Sequence, residues 1–150
     1  MKIYLASDHA GFHLKEKVKI FLERLNYEIE DLGALSFNEE DDYPKIIVKA
    51  AKKVAKDKRS KGVVFGKSGA GEAIVANKVK GIRAVIGFSR ENVELSREHN
   101  DCNVLSLGAQ FTDEHKAFLL TRAFLETEFS KEERHKRRIE EIKEIEKCKK

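Results

Sequence analysis

Residues 66 to 72 read Gly-Lys-Ser-Gly-Ala-Gly-Glu, three glycines and a serine running into a carboxylate. Where such a segment joins a strand to a helix, its backbone N–H groups can converge on an anion, reinforced by the helix dipole. Its Gly-Lys-Ser opens the segment and does not end a Gly-x-x-x-x-Gly-Lys-Ser/Thr run, so it is not a Walker loop, and it does not match the dinucleotide fingerprint Gly-x-Gly-x-x-Gly. Taken alone, a tight structural turn explains it equally well. Glu72 adds a base beside those donors. Removing a proton next to a carbonyl needs both a base and donors for the oxygen that becomes negative, and Lys67, Ser68, Gly69, Ala70 and Gly71 with Glu72 would supply them together. The plainer reading of Glu72 is a first-turn acid that complements the helix dipole.

Three further groups carry chemistry. Asp8-His9 offers an acceptor and a group that titrates near neutrality, suited to holding sugar hydroxyls and moving protons during ring opening; Asp8 could equally cap the next helix. His99-Asn100 pairs an imidazole that can act as an acid with an amide that can bind a hydroxyl, although a histidine at a helix end is more often a partner of the dipole. Arg134 and Arg138 are four residues apart, so on a helix they share one face and can grip a phosphate together, with salt bridges to neighbouring glutamates as the alternative.

These groups must be positioned by something, and the rest of the chain supplies it. Short apolar runs at residues 2–6, 27–31, 62–65, 84–87 and 104–107 alternate with segments of helical period at 12–25, 43–56, 72–78, 90–98 and 113–126, and a last helix runs from Lys131 toward the end. This is the pattern of repeated strand-helix units around a parallel sheet. Pro44 fits the first turn of its helix, and Thr112 or Asp113 can cap another. In such a sheet, ligands bind outside the carboxyl ends of the strands, where the strand order reverses. Asp8-His9, the 66–72 segment and Gly108-Ala109-Gln110 all follow strands. The loop at 33–42, with its acidic end, is the longest irregular stretch and a candidate flap.

At 150 residues and 41% hydrophobic content, one compact domain spanning 1–150 is expected. No run of about 18 apolar residues is present and the amino terminus enters a strand at once, so a cytoplasmic protein without a membrane partner is expected. Cys102 and Cys148 are too few and too far apart for a disulfide framework or a zinc site, and read as ordinary thiols. Residues 130–150 hold nine Lys or Arg against six Glu. The acids interleave with the bases as on a solvated helix face, which argues against a nucleic-acid footprint.

The segments Ser7-Asp8-His9-Ala10-Gly11, Asp42-Tyr43-Pro44, Ser68 to Glu72 running into Ala76-Asn77-Lys78, Gly81-Ile82-Arg83-Ala84, Ser96 to Asn100 and Arg134 to Arg138 together resemble the ribose-5-phosphate isomerase B group, which also contains galactose-6-phosphate and allose-6-phosphate isomerases. The resemblance covers nearly the whole chain. It implies a Rossmann-like three-layer α/β/α fold with a five-stranded parallel sheet and a C-terminal helix. It also implies an aldose-ketose isomerase that needs no cofactor or metal and acts on a phosphorylated sugar. The implied assembly is a homodimer with shared active sites, sometimes paired into a tetramer. By the same resemblance Asp8 and His9 contact the sugar, the backbone from Lys67 to Gly71 holds the enediolate, His99 donates a proton in ring opening, and Asn100 binds substrate. Arg134 and Arg138 grip phosphate from the partner subunit. Some members use a cysteine base where this chain has Gly66; others use a glutamate at the position of Glu72, as this chain would. Lys67 stands where glycine is usual, and Gln110 where an arginine often contacts phosphate. Ribose 5-phosphate and ribulose 5-phosphate are the expected pair, with a hexose 6-phosphate isomerase and a non-catalytic sugar-phosphate-binding protein as the alternatives.

Overall fold

The structure is a computed structural model in which residues 1–147 are described. Cys148 lies outside the described residues. Five strands, β1 (Lys2–Ser7), β2 (Glu28–Asp31), β3 (Lys61–Gly66), β4 (Ala84–Ile86) and β5 (Val104–Gly108), form one parallel sheet in the order β2-β1-β3-β5-β4. Six helices complete the element order: α1 (Phe12–Arg24), α2 (Tyr43–Lys56), α3 (Ala70–Asn77), α4 (Arg90–Asn100), α5 (Glu114–Glu126) and α6 (Glu133–Lys147).

The three central strands, β1, β3 and β5, are buried on both faces, as the middle of a parallel sheet requires, while the edge strands β2 and β4 are partly exposed. Ile3, Leu5, Val63, Phe65, Leu105 and Leu107 point to one side, where they meet Leu14, Val18 and Leu22 of α1, Val93 of α4 and Leu120 and Phe124 of α5. Tyr4, Ala6 and Val64 point to the other, against Ile47, Ala50, Ala51 and Val54 of α2 and Ala76 of α3. Three layers follow from this alternation.

Element boundaries shift where local chemistry decides them. The third helix starts at Ala70, two residues before the expected start, because Gly69 at φ +79° makes the whole turn and nothing after it opposes helix. The last helix starts at Glu133, later than Lys131, which sits at φ +59°. Tyr27 closes α1 through its N–H to Leu22 O, so β2 begins one residue later. Of the two candidate caps for α5, Asp113 is used, its side chain accepting from Lys116 N–H at 2.8 Å.

The chain leaves β1 for β2 on one side, then crosses to β3 on the other, so the order reverses between β1 and β3. These two strands are paired, with Ser7 opposite Phe65, and Gly66 in turn lies opposite Gly108 of β5. The segments after β1, β3 and β5 therefore open side by side at one crevice.

Candidate active site

The loop after β3 is held tightly from below. Ala109 N–H donates to Gly66 O at 2.8 Å, Gln110 N–H to Lys67 O at 3.0 Å, and the buried Ser106 hydroxyl to Gly69 O at 2.6 Å. A Cβ on Gly108 would lie 2.5 Å from the Ser68 backbone, and one on Gly71 would lie 2.8 Å from the Tyr43 ring. Small residues thus let the loop lie flat between β5 and the start of α2. With its carbonyls engaged beneath, the N–H groups of Ser68 and Gly71 have no acceptor among the described residues.

Glu72, in the first turn of α3, is only 3% exposed. Its carboxylate turns back over the end of β3. A Cβ built on Gly66 would meet Glu72 Oε1 at 2.0 Å, so the space over Gly66 is the space the carboxylate fills. Burial raises the Glu72 pKa above the ordinary carboxylate range; the N–H of Glu72 itself opposes this, the negative charge of Asp8 adds to it, and Gly69 N–H opposes it again. A buried carboxylate made more basic than usual, beside free backbone donors, is the equipment of a general base with an oxyanion cradle.

Asp8 and His9, at the end of β1, flank it. Asp8 is buried and accepts from Gly11 N–H at 3.0 Å, so it does fasten the start of α1 while its charge reaches Glu72. Asp41, from the loop after β2, accepts from His9 N–H at 3.0 Å and lies 2.7 Å from His9 Nδ1, which raises the His9 pKa. The ring of Phe37 on the same loop stacks on His13 and meets His9 edge-on. The acidic end of this loop holds His9, a contact legible only in three dimensions because 32 residues separate the partners. Asp8, His9 and Asp41 also place possible metal-ligand atoms within 4.8 Å of one another; one Asp41 oxygen serves both His9 donors, while the other is buried without a hydrogen-bond partner among the described residues. Lys67 and Gln110 are exposed neighbours at the rim, joined through their backbones.

His99, Asn100, Arg134 and Arg138 are elsewhere. Arg83, just before β4, donates to Asn100 O and Asp101 O, both at 2.7 Å, and Asn103 N–H donates to Arg83 O at 3.1 Å, so the end of α4 is level with the amino ends of the strands. A helix of 11 residues returning along the sheet covers roughly 16 Å. Within one chain, His99 and Glu72 thus lie at opposite ends of the sheet. The ring of buried His135 lies 4.4 Å from that of His99, and His135 Nδ1 is 2.7 Å from Ser130 Oγ. Burial lowers the His135 pKa, and the neighbouring His99, Arg134 and Arg138 act in the same direction. His135 docks α6 on α4 and leaves Arg134 and Arg138, on the same helix, exposed. Arg134 bonds Glu132 at 2.8 Å, as the salt-bridge alternative has it, whereas Arg138 has no carboxylate partner among the described residues. The expected site residues therefore form two clusters, Glu72 with the 67–71 backbone, Asp8 and His9 at one end and His99 and Asn100 with two arginines at the other.

The model of the Ribose/Galactose Isomerase family matches residues 3–142. Ribose-5-phosphate isomerase B of Mycolicibacterium paratuberculosis is 41% identical over 146 residues, covering 97% of this chain and 92% of that protein. The structure of ribose-5-phosphate isomerase B from Clostridium thermocellum superposes with a TM-score of 0.94 at 39% identity, covering 98% of each chain. That of the Mycoplasma genitalium enzyme with bound ribulose-5-phosphate also gives 0.94, at 34% identity, covering 98% of this chain and 97% of the other. With a family match across nearly its whole length, and with the same fold in these enzymes, the chain belongs to the ribose/galactose isomerase family.

Proposed function

We propose that this protein interconverts ribose 5-phosphate and ribulose 5-phosphate through a cis-enediol, with Glu72 removing the proton from C2 and the Ser68 to Gly71 backbone stabilising the enediolate oxygen. The observation that carries this reading is the buried Glu72 carboxylate, fitted into the room left by Gly66 beside free N–H donors. The bound ribulose-5-phosphate of the Mycoplasma genitalium enzyme supports the pentose pair over a hexose phosphate. Asp8 and His9 would hold the sugar, and Lys67 beside Gln110 would put a cation at a rim otherwise crowded with acids. The chain itself provides base, acid and phosphate grip, and the reading needs no cofactor.

Two half-sites at opposite ends of one sheet make a homodimer part of the proposal. His99 as the ring-opening acid, Asn100, Arg134 and Arg138 of one copy would meet Glu72 and its cradle in the other, and each pair of copies would then hold two sites. Exposed Ile74, Ile86 and Phe88 line an apolar hollow over α3 and the edge strand β4, a surface suited to such contact. Among the described residues no helix is long and apolar enough to cross a membrane. A cytoplasmic place for the enzyme goes with the single-domain, phosphorylated-sugar reading.

Turnover of ribose 5-phosphate in deuterated water tests the chemistry. Base-catalysed enolisation exchanges the C2 proton with solvent, while a protein that only binds the sugar exchanges nothing. Glu72→Gln should lower turnover at least about a hundredfold with the fold intact. Full activity in that variant contradicts the assignment, and turnover of hexose phosphates alone contradicts the pentose reading.

A further inference from the structure

Beneath α6, at the amino ends of the strands, lies a cavity of about 390 Å³. Its walls are the end of α2, the first residues of β3, the end of α4 and the side of α6 that carries Lys136, Ile139 and Lys143. At 100° per residue that side faces away from Arg134 and Arg138, so the cavity and the proposed phosphate grip occupy opposite faces of one helix.

The charge lining it is lopsided. Seven Lys or Arg border the cavity against two acids, Asp101 and Glu140. Arg83 and Arg97 share the single carboxylate of Asp101, Glu140 is taken by Lys143, and Lys136 bonds Glu133 just outside the cavity. Lys61 lies between them with no carboxylate within salt-bridge distance among the described residues; its ammonium donates to the Phe124 and Leu125 carbonyls at the end of α5, both at 3.2 Å. Burial and the nearby Arg97 charge pull its pKa down to about 8. Lys58 and Arg59 stand at the rim, exposed and likewise without a carboxylate partner among the described residues. Three cations without carboxylate partners, Lys58, Arg59 and Lys61, gathered at one concave space focus a positive potential that favours a bound anion. The volume suits a small molecule.

We propose that this cavity is a second anion site, taking a small molecule that bears a phosphoryl or pyrophosphoryl group, separate from the grip of Arg134 and Arg138. An occupant would bridge α6 to the start of β3 and so steady the helix that presents those arginines. The consequence for turnover rests on the isomerase reading; the occupancy does not.

Calorimetric titration of the full chain with inorganic pyrophosphate tests it directly. Binding should persist in the Arg134→Ala/Arg138→Ala variant, where the substrate's phosphate grip is gone. It should weaken by about tenfold or more in Lys58→Ala/Arg59→Ala, two exposed positions whose loss leaves the fold intact. Near pH 8 the binding heat should vary with the buffer's ionisation heat, because an anion beside Lys61 draws a proton onto it. Absence of binding at millimolar pyrophosphate, binding unchanged in Lys58→Ala/Arg59→Ala, or binding lost only with the two α6 arginines would each overturn the proposal. A Lys58→Ala/Arg59→Ala variant that still turns over ribose 5-phosphate while losing pyrophosphate separates this site from the active site.

Discussion

Because burial and Asp8 hold the Glu72 pKa above its ordinary value, ionising this side chain works against folding. Below the pKa of an unfolded glutamate the residue is protonated in both states and its site contributes fully to stability. As pH rises through the higher native value, the buried carboxyl must ionise and that contribution is lost. Glu72→Gln should therefore melt at a higher temperature than the parent near pH 8, with the difference closing toward about pH 4. The parent's kcat/KM should climb with pH through the same native value. A variant that melts lower than the parent at pH 8 would show that the carboxylate is stabilising, hence more solvated than its position indicates. At this scale, sequence carried the candidates for base and cradle, since residue types and spacing are local. The room over Gly66 was hidden, because it depends on where a side chain six residues later turns.

The elements that deliver these residues are set by a few fixings. Lys15, fully buried in α1, lies 2.5 Å from Asp31 at the end of β2, and Lys19 reaches the same oxygen at 3.0 Å, while the other Asp31 oxygen accepts from Gly33 N–H. Burial pushes the Asp31 pKa up, but the two lysines and that N–H more than offset it, leaving it lowered. The pair ties α1 to β2 and to the first turn of the loop that carries Asp41. Asp31→Asn would leave Lys15 with only the half-exposed Glu16, and should cost about 3 kcal/mol of stability by urea unfolding, the scale of breaking a buried ion pair. A cost under about 0.5 kcal/mol would mean that the pair behaves like a surface bridge. Apolar periodicity placed every one of these strands and helices in the sequence to within a few residues. Buried Lys15 escaped it, because a lysine on a helix reads as solvated until its partner is found 16 residues away.

For the whole molecule, topology decides what one chain can do. A helix that follows a parallel strand runs back along the sheet, so residues at the start of α3 and at the end of α4 cannot meet within one copy. Sequence order places His99 just before β5 and hides this, since strand and helix directions emerge only when the sheet is assembled. The family resemblance assigned Arg134 and Arg138 to a partner subunit; the structure packs His99 against His135 of the same helix, at that same end. Mixing two dead variants tests the divided site most directly. Glu72→Gln and His99→Asn should each be nearly inactive alone. Unfolded, mixed in equal amounts and refolded, they should regain about a quarter of the wild-type rate, because half the dimers are mixed and each mixed dimer rebuilds one intact site of two. No recovery, with mixed dimers shown to have formed, would contradict a site shared between copies.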